Sequence, residues 1–304
     1  MREIAICVPP SWDGVMAKRF LRGYCGLSYR LMVSLKSQPG GITMDGRLLR
    51  VIDPVYGGKT VVLRLPDDSS APVPVALPFH VCYEDADLLV ADKPPFMPVH
   101  PTHDHQRDTL ANAVAAYLAA KGEACAFRSV YRLDRDTSGL VVVAKNAYAA
   151  SRLNRRVEKT YFAVAQGILC GSGCIDAPLH RKEGHGIQQE AGGYGVCAVT
   201  HWEALGAGTG HTLLRLWLET GRTHQIRVHC ASLRHPLAGD DMYGGSREKI
   251  GRQALHCGYA RLVHPVSGAV LSFFSPLPAD IVTLLAGCRI PVPRECAAAG
   301  FEIN

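Results

Sequence analysis

The sequence predicts an α+β protein built on a largely antiparallel sheet. Short runs of alternating or wholly apolar residues, separated by turn residues, recur between residues 87 and 274 and are typical of strands. A helical pattern covers 109–121, with Asp108 or Thr109 as its N-cap and Gly122 at its end. Short strands with few helices between them indicate an α+β arrangement rather than alternating βαβ units.

Residues 1–65 predict a separate small module. Two helical patterns are followed by a hairpin with the favoured turn pair Asp45-Gly46 and by a closing strand. Ser28 is the candidate N-cap of the second helix. The expected elements are helices at 14–20 and 28–35, a hairpin at 42–51 and a strand at 60–65. Residues 66–78 begin with a stretch rich in proline, serine and charge, so they are predicted to link the module to a second domain at 79–304.

Composition limits the class of protein. The 304 residues are 47% hydrophobic and 20% charged, with a net charge of +6, which is ordinary for a globular protein. The positive surplus suits a polyanionic partner if it is concentrated on one face. No apolar run approaches the length of a membrane span, the start lacks the apolar core of a signal peptide, and the 11 cysteines include no Cys-x-x-Cys pair. We therefore expect a cytoplasmic protein with reduced cysteines.

The most informative segment is 131–140, which leads into the apolar run 141–144. Asp134 lies here between Arg132 and Arg135, and nearby cations are expected to keep its carboxylate ionised. Burial beside a strand would make this carboxylate a stronger nucleophile than a solvated aspartate. The alternative interpretation is a salt-bridged loop without a catalytic role.

A second dense group of polar side chains follows the predicted strand 214–218. Gly221 marks a turn, and the donors that follow are Arg222, His224, Gln225, Arg227 and His229. Guanidinium groups suit bidentate contacts with carboxylates or phosphates. The alternative interpretation is a charged surface helix that faces solvent.

The pattern Arg-Leu-Asp-x-x-Thr-Ser-Gly-Leu at 132–140 resembles the active-site motif of the RluA-type pseudouridine synthases. Most members of that family have histidine where this chain has Tyr131. Further segments similar to the family's conserved blocks follow in the family's order, at 158–164, 220–229, 235–244, 255–256 and 264–265. The resemblance extends from about Asp87 to Pro278.

The resemblance implies a fold as well as an activity. The fold of the family is a mixed, mostly antiparallel sheet with flanking helices and a central cleft that takes RNA. The N-terminal module is similar to the S4-type RNA-binding module, a small α/β domain. The activity is an isomerisation of uridine in RNA, which breaks the N1–C1′ bond, rotates the base and joins C5 to C1′ after the nucleotide has been flipped out of its stack.

The same resemblance assigns roles to three residues. Asp134 is expected to be the catalytic carboxylate, Tyr161 to stack on the target base, and Arg227 to pair with Asp134. Both an attack of Asp134 on C1′ and a glycal route are compatible with these roles. No cofactor or metal is expected, because the isomerisation involves no redox change and no energy input.

RNA contacts are expected at the cleft and on the N-terminal module. Arg132 is the side chain expected to fill the space that the flipped nucleotide leaves. The predicted RNA-binding residues are Arg132, Arg222, His224, Gln225, Lys18, Arg19, Arg22, Arg30 and Lys36. The S4-like module favours ribosomal RNA over transfer RNA, and we expect a monomer that needs neither a membrane nor an obligate protein partner.

Other functions are compatible with parts of the sequence. A non-catalytic RNA-binding or assembly factor could retain the fold, and a hydrolase could use Asp134 together with Asp136. The histidine-rich segments 100–105 and 180–185 offer metal-ligand residue types, but neither has the spacing of a helical His-Glu-x-x-His site. The isomerase is preferred because every residue that it needs at the reaction centre is present.

Overall fold

The computed structural model describes residues 2–66 and 71–297. These residues form a four-stranded sheet, a ten-stranded sheet and a two-stranded hairpin, with helices packed around them. Residues 67–70 of the predicted linker lie outside the described residues.

The N-terminal module packs two helices on the four-stranded sheet. Its elements are β1 (Glu3–Cys7), α1 (Ala17–Gly23), α2 (Tyr29–Lys36), β2 (Ile42–Met44), β3 (Arg47–Leu48) and β4 (Thr60–Arg64). The strands lie in the order β1-β4-β2-β3, and all neighbouring pairs are antiparallel. The side chains of Phe20, Leu21, Leu35 and Leu63 are fully buried between helices and sheet.

Local signals in this module are largely confirmed. The Ser28 hydroxyl accepts a hydrogen bond from the Leu31 N–H at 3.2 Å and so caps α2. Asp45 and Gly46 have φ angles of 48° and 78°, the positive values that a type I′ hairpin turn requires. The sequence pattern missed β1, and it placed the start of α1 at Gly14. The helix begins later because Gly14 adopts a left-handed conformation that precedes the helix.

The second part of the chain is built on the ten-stranded sheet. Its first elements are β5 (His80–Glu84), β6 (Leu88–Lys93), α3 (Leu110–Ala120), β7 (Arg128–Ser129), β8 (Ser138–Ala144), α4 (Ala147–Leu153) and β9 (Glu158–Gln166). They are followed by β10 (Ser172–Asp176), β11 (Leu179–Arg181), β12 (Gln189–Ala191), β13 (Val199–Gly208), β14 (His211–Leu218) and α5 (Gln225–Ser232). The last elements are β15 (Leu255–Val263), β16 (Val270–Phe274), α6 (Ala279–Gly287) and α7 (Arg294–Ala297).

The sheet is mixed and mostly antiparallel, as predicted. The main path is β10-β13-β14-β9-β15-β8-β6-β5, with β16 paired to β15 and β7 paired to β8. Among the described strand pairs, β15 and β8 run parallel and the others antiparallel. β11 and β12 form the separate hairpin.

Strand β8 lies at the centre of this sheet and directly follows the segment that contains Asp134. All seven of its residues are buried, which explains the continuous apolar run in the sequence. Its contact with β15 is unusually close at Gly139, where an added Cβ would lie 2.3 Å from the carbonyl oxygen of Cys257. Gly139 also has a φ of 110°, a conformation that favours glycine. The close contact fixes where β8 begins, and therefore where the preceding turn lies.

The N-terminal module packs directly against the second part of the chain. Tyr148 of α4 belongs to the same apolar cluster as the core of the module. The hydroxyl of Ser151 donates to the carbonyl of Gly26 at 2.7 Å, and Arg2 forms a two-bond ion pair with Asp87 at 2.7 and 3.1 Å. The module is thus attached through both apolar and polar contacts.

The described part of the predicted linker, 71–78, runs along α3. Thr109 caps this helix in a capping box with Asn112, as the sequence predicted for the start of the helix. The side-chain amide of Asn112 donates to the carbonyl of Val73 at 2.8 Å, and its backbone carbonyl accepts from Val75 at 3.2 Å. One buried asparagine therefore anchors the segment to the helix. Within residues 2–66 and 71–297, no helix has the length and apolar character needed to cross a membrane.

Replacement of Gly139 by alanine should destabilise the protein by about 2–4 kcal/mol. The added methyl would meet the Cys257 carbonyl and would force a positive φ on a residue with a side chain. Urea denaturation measures the effect. Gly251→Ala is the matched control, since its Cβ would meet no atom within 4 Å, and we expect a change within about 0.5 kcal/mol. Equal stability of the two variants would contradict the close contact.

Candidate active site

Asp134 lies in the turn that precedes β8, with its side chain 26% exposed. The turn is closed by the Thr137 N–H, which donates to the backbone carbonyl of Asp134 at 3.1 Å. Arg227 NH1 donates to Oδ2 of Asp134 at 3.2 Å, so the predicted ion pair is confirmed. Nε2 of His224 is 3.9 Å from the same oxygen. No described residue donates a hydrogen bond to the other oxygen, Oδ1.

Arg227 has a second and closer carboxylate partner. Its Nε and NH2 donate to the two oxygens of Asp240 at 2.7 and 2.8 Å, and the Asp240 side chain has no exposed surface. The guanidinium carbon also lies 5.0 Å from the centre of the Tyr243 ring. Burial disfavours the charged form of Arg227, but the hydrogen bonds and charges of Asp240 and Asp134 outweigh burial and raise its pKa. Asp240 thus orients the guanidinium, which presents its NH1 group to Asp134.

Asp240 was absent from the residues predicted for the site. The sequence carried a signal for it, because it lies in the segment 235–244 that resembles a family block. The glycines and aspartates of this segment are typical of a turn, and Gly239 and Gly244 do adopt positive φ angles. The side chain of Asp240, in contrast, points inward at Arg227.

Two buried cations hold the segment that follows Asp134. The Lys93 ammonium donates to the carbonyls of Pro94, Met97 and Arg135 at 2.8–3.0 Å, which uses its three protons. Burial and the charge of Arg252 lower the pKa of Lys93 to about 7, whereas nearby aspartates favour the charged form. Only the ammonium form has a proton for each of the three carbonyls, so the bonds described here belong to that form. Because Lys93 and Arg135 lie far apart in the sequence, this contact had no local sequence signal.

Arg252 is the second buried cation. Its NH1 donates to the carbonyl of Asp136 at 2.9 Å, and its side chain pairs with Asp280 of α6 at 2.6 Å. NH2 also reaches the hydroxyl of Ser138, the first residue of β8, at 3.3 Å. The carbonyls of two consecutive residues in the turn before β8, Arg135 and Asp136, are therefore bound by side chains from β6 and from the segment before β15.

His256, in the segment 255–256 that resembles a family block, is part of a buried chain of hydrogen bonds. Nε2 of His256 donates to the carbonyl of Ser275 at 3.0 Å, so the neutral ring accepts at Nδ1 from the Ser138 hydroxyl at 3.0 Å. The Ser275 hydroxyl in turn donates to Asp92 at 2.6 Å. His256 thus connects the start of β8 to β16 and β6 and has a supporting position beneath the site.

Tyr161 lies on β9 and is buried beside Cys257. Burial, together with Cys257 and Asp134, raises the pKa of Tyr161 well above its ordinary value, so the phenol is protonated at neutral pH. Tyr131, which replaces the histidine of most family members, donates its hydroxyl proton to the carbonyl of Leu140 at 2.9 Å. The ammonium of Lys159 lies 4.7 Å from the centre of the Tyr131 ring. The substitution is therefore accommodated by a packed, hydrogen-bonded phenol.

The predicted RNA-binding residues near the cleft differ in exposure. Arg132 and Arg222 are exposed, and Arg222 donates to the carbonyl of Cys197 at 3.0 Å. Gln225 is 2% exposed, and its amide makes hydrogen bonds with four groups inside the protein. The prediction that Gln225 contacts RNA therefore needs correction, since no donor or acceptor of its side chain is left. It stabilises the turn before α5.

The interpretation of 220–229 as a solvent-facing charged helix is wrong. Residues 225–230 of α5 are all buried. His224 is also buried, and His229 bonds to Thr200 at 2.8 Å and to the carbonyl of Ala177 at 2.9 Å. The polar side chains of His224, Gln225, Arg227 and His229 are used inside the protein to build one wall of the site, whereas Arg222 is exposed.

The histidine-rich segment 100–105 forms separate local contacts. His100 bonds to Ser129 at 2.8 Å, and His105 bonds to Asp108 at 2.6 Å. Asp85, Asp87 and His264 form the three-residue group of closely spaced metal-ligand types found among the described residues. One Asp85 oxygen accepts two backbone N–H groups, and the oxygens of Asp87 accept from Arg2 and from Asn146. Protein donors thus occupy these carboxylates.

Comparisons with known proteins agree with this geometry. A family model described as RNA pseudouridylate synthase matches residues 87–232. The ribosomal large subunit pseudouridine synthase D of Xylella fastidiosa is 38% identical over 293 residues, which cover 90% of this chain and 86% of that protein. The uncharacterized RNA pseudouridine synthase YjbO of Bacillus subtilis is 36% identical over 273 residues, with coverage of 87% and 96%.

Solved structures show a similar fold. The human RNA pseudouridylate synthase domain containing 4 aligns with a TM-score of 0.57 at 22% identity, and the alignment covers 70% of this chain and 94% of that chain. The human RNA pseudouridylate synthase domain containing 1 aligns with a TM-score of 0.54 at 27% identity, covering 71% and 97%. The mixed sheet described above is thus the architecture of these proteins.

Replacement of Asp240 by asparagine should lower the free energy of unfolding by about 3–5 kcal/mol, because Arg227 would lose its closer charged partner in a buried site. Urea denaturation at neutral pH measures this loss. Asp241→Asn is the matched control, since its carboxylate is 57% exposed and pairs with the exposed Arg247, and its loss should be at most about 1 kcal/mol. If the two neighbours behaved alike, Asp240 would not be the anchor of Arg227.

Proposed function

This chain belongs to the RNA pseudouridine synthase family, and from that premise we propose that it isomerises specific uridines of ribosomal RNA with Asp134 as the catalytic carboxylate. The observation that carries the residue assignment is the pair between a partly exposed Asp134 and a buried Arg227 in the family-like motif. Ribosomal RNA is preferred over transfer RNA as the substrate because several relatives at 37–38% identity are named ribosomal large subunit pseudouridine synthase D.

The position of Asp134 suits chemistry at C1′ of the target nucleotide. Arg227 binds Oδ2, while Oδ1 has no hydrogen bond from the described residues and is available to the sugar. In the reaction the N1–C1′ bond breaks and a C5–C1′ bond forms. A proton leaves C5 and a proton is added at N1, so substrate and product have the same composition. Asp134 begins and ends the cycle as a carboxylate.

Tyr161 and Arg132 complete the proposed reaction centre. The protonated, buried phenol of Tyr161 offers a flat surface for the detached uracil, and its hydroxyl can hold a proton near the base. The exposed Arg132 makes no hydrogen bond or ion pair with the described residues, which leaves its guanidinium available to occupy the space vacated by the flipped nucleotide. The exposed Arg222 is proposed to lie along the same RNA path, whereas the buried His224 faces Asp134.

We further propose that residues 1–65 form an S4-like RNA-binding module, joined by 66–78 to a catalytic domain at 79–304. Support comes from the basic residues of its two helices, all of which are exposed and without an ion pair among the described residues: Lys18, Arg19, Arg22, Arg30 and Lys36. In contrast, Arg50 of the module is paired with Asp53, and Arg64 is paired with Glu3. The unpaired charges on α1 and α2 are therefore available to phosphates.

Replacement of Asp134 by asparagine should reduce isomerisation roughly 10⁴-fold or more, because the amide keeps the shape but loses the charge. RNA affinity should stay nearly unchanged. The measurement is tritium released from C5 of labelled uridine in a ribosomal RNA transcript.

Asp136→Asn is the matched control, since the Asp136 carboxylate pairs with the neighbouring Arg135 at 2.6 Å. We expect this substitution to lower the isomerisation rate only slightly. Comparable losses at both positions would remove the catalytic role from Asp134. Free uracil as a product would indicate a hydrolase, and bound but unconverted RNA would indicate a non-catalytic RNA-binding factor.

Neutralisation of Lys18, Arg19 and Arg22 by glutamine should weaken binding to long RNA and reduce its salt dependence. Each lost phosphate contact should lower the slope of log affinity against log salt by about 0.9 in duplex regions. Substitution is preferable to deletion of the module, because deletion would expose Tyr148 and remove the partner of Asp87.

The matched control is the double variant Arg50→Gln/Arg64→Gln, which removes exposed but paired arginines from the same module. Filter binding at several salt concentrations measures both slopes. A slope that is unchanged in the triple variant would contradict an RNA-binding role for α1.

A further inference from the structure

Tyr243 and His224 form a hydrogen-bond chain that ends at Asp134. The backbone N–H of Gln189, at the start of β12, lies 3.0 Å from the Tyr243 hydroxyl, which lies 2.8 Å from Nδ1 of His224. A backbone N–H can only donate, so the hydroxyl oxygen accepts there, and Nδ1 of His224 is the acceptor that its own proton reaches among the described residues. With the Tyr243 proton on that bond, the neutral imidazole of His224 carries its proton on Nε2.

Nε2 of His224 is the nitrogen that faces the catalytic carboxylate, 3.9 Å from Oδ2 of Asp134. The backbone of His224 has a left-handed φ of 55°, which places the ring at this position before α5 begins. The Tyr243 ring meets the imidazole edge to face, with centroids 5.7 Å apart. The orientation of the imidazole ring is thus set by the backbone conformation of His224 and by the contact with Tyr243.

We propose that His224 and Tyr243 are positioning residues that hold a neutral imidazole with its Nε2–H directed at Oδ2 of Asp134. This inference rests on the proposed function. With Arg227 and His224 both directed at Oδ2, the carboxylate is held through one oxygen, and Oδ1 is the atom that meets the sugar. The role differs from the RNA contact that the sequence suggested for His224.

The electrostatic surroundings support a neutral ring. Burial lowers the pKa of His224, Arg227 lowers it further, and Asp134 and Asp240 oppose the shift. Together with Tyr243, these are the titratable and charged groups that face the ring within residues 2–66 and 71–297. Because the pKa is lowered, the neutral form persists to a pH below the ordinary value for histidine. Loss of the Tyr243 proton donor would free Nδ1 and make its protonation easier, which would raise the pKa of His224.

The test is Tyr243→Phe in the full-length protein, with ¹⁵N-labelled histidine followed by NMR and with single-turnover conversion of ribosomal RNA measured against pH. In the wild type, His224 should show the Nε2–H tautomer, with its signal identified by its absence in His224→Gln. In Tyr243→Phe, His224 should show a mixture of the two tautomers. The single-turnover rate should fall roughly tenfold, as expected for the loss of one hydrogen bond beside a charge. The acid limb of the plot of rate against pH should move to higher pH. RNA affinity should not change.

Three further variants make the result specific. Tyr259→Phe is the control, because its hydroxyl bonds to Ser272 at 2.9 Å on the pair β15–β16 and its loss should leave tautomer and rate unchanged. His224→Gln supplies a donor near the Nε2 position, so it should keep more activity than His224→Phe and lose the histidine-dependent acid limb.

Two results would overturn the proposal: an Nδ1–H tautomer of His224 in the wild type, or a Tyr243→Phe protein with the wild-type tautomer, rate and pH profile. A merely structural role would lower stability in Tyr243→Phe without moving the acid limb, and this too would count against it. If the tautomer changed as expected but the wild type converted no uridine in any RNA, the proposed function would fail and the tautomer assignment would stand.

Discussion

Arg227 carries its charge inside the protein, and a buried cation is stable only where anions compensate it. Two carboxylates do so unequally: the fully buried Asp240 accepts two N–H groups, whereas the partly exposed Asp134 accepts one. Asp240 therefore supplies most of the compensation that folding requires. Asp134 is left oriented and accessible on one oxygen, which suits its proposed action on a sugar carbon. Stability and the proposed chemistry depend on the same guanidinium, with the two demands met by different partners.

The turn that carries Asp134 depends on a second constraint, which comes from the strand that follows it and from two buried basic side chains. Strand β8 cannot shift relative to β15, because Gly139 leaves no room at the Cys257 carbonyl. Lys93 and Arg252 then bind the carbonyls of Arg135 and Asp136. Buried cations that bind backbone carbonyls hold the turn without occupying the Asp134 carboxylate.

The sequence allowed the fold class, most strands and the Asp134–Arg227 pair to be predicted, because each has a local pattern or lies in a family-like motif. Lys93 and Arg252 were not predicted, since their roles arise from contacts between segments distant in the chain. Asp240 was missed although it lies in a family-like block, because that block was interpreted as a turn. Residue type alone misled at Gln225, where a polar side chain within a donor-rich segment is used entirely inside the protein. Polarity indicates that a side chain needs partners, and only the tertiary structure shows whether those partners are protein or ligand.

The packing of the N-terminal module on α4 has a consequence for substrate choice. Tyr148 belongs to the core of the module, and Arg2 is paired with Asp87, so the basic helices are held at a set distance and direction from Asp134. A module on a flexible tether would raise the local concentration of any RNA that it captured. If its helices bind phosphates as proposed, a docked module would instead favour those RNAs in which a phosphate-rich surface and a reachable uridine have the matching separation, and it would lose little conformational entropy on binding. Substrate selection would then depend on the three-dimensional shape of the RNA around the target.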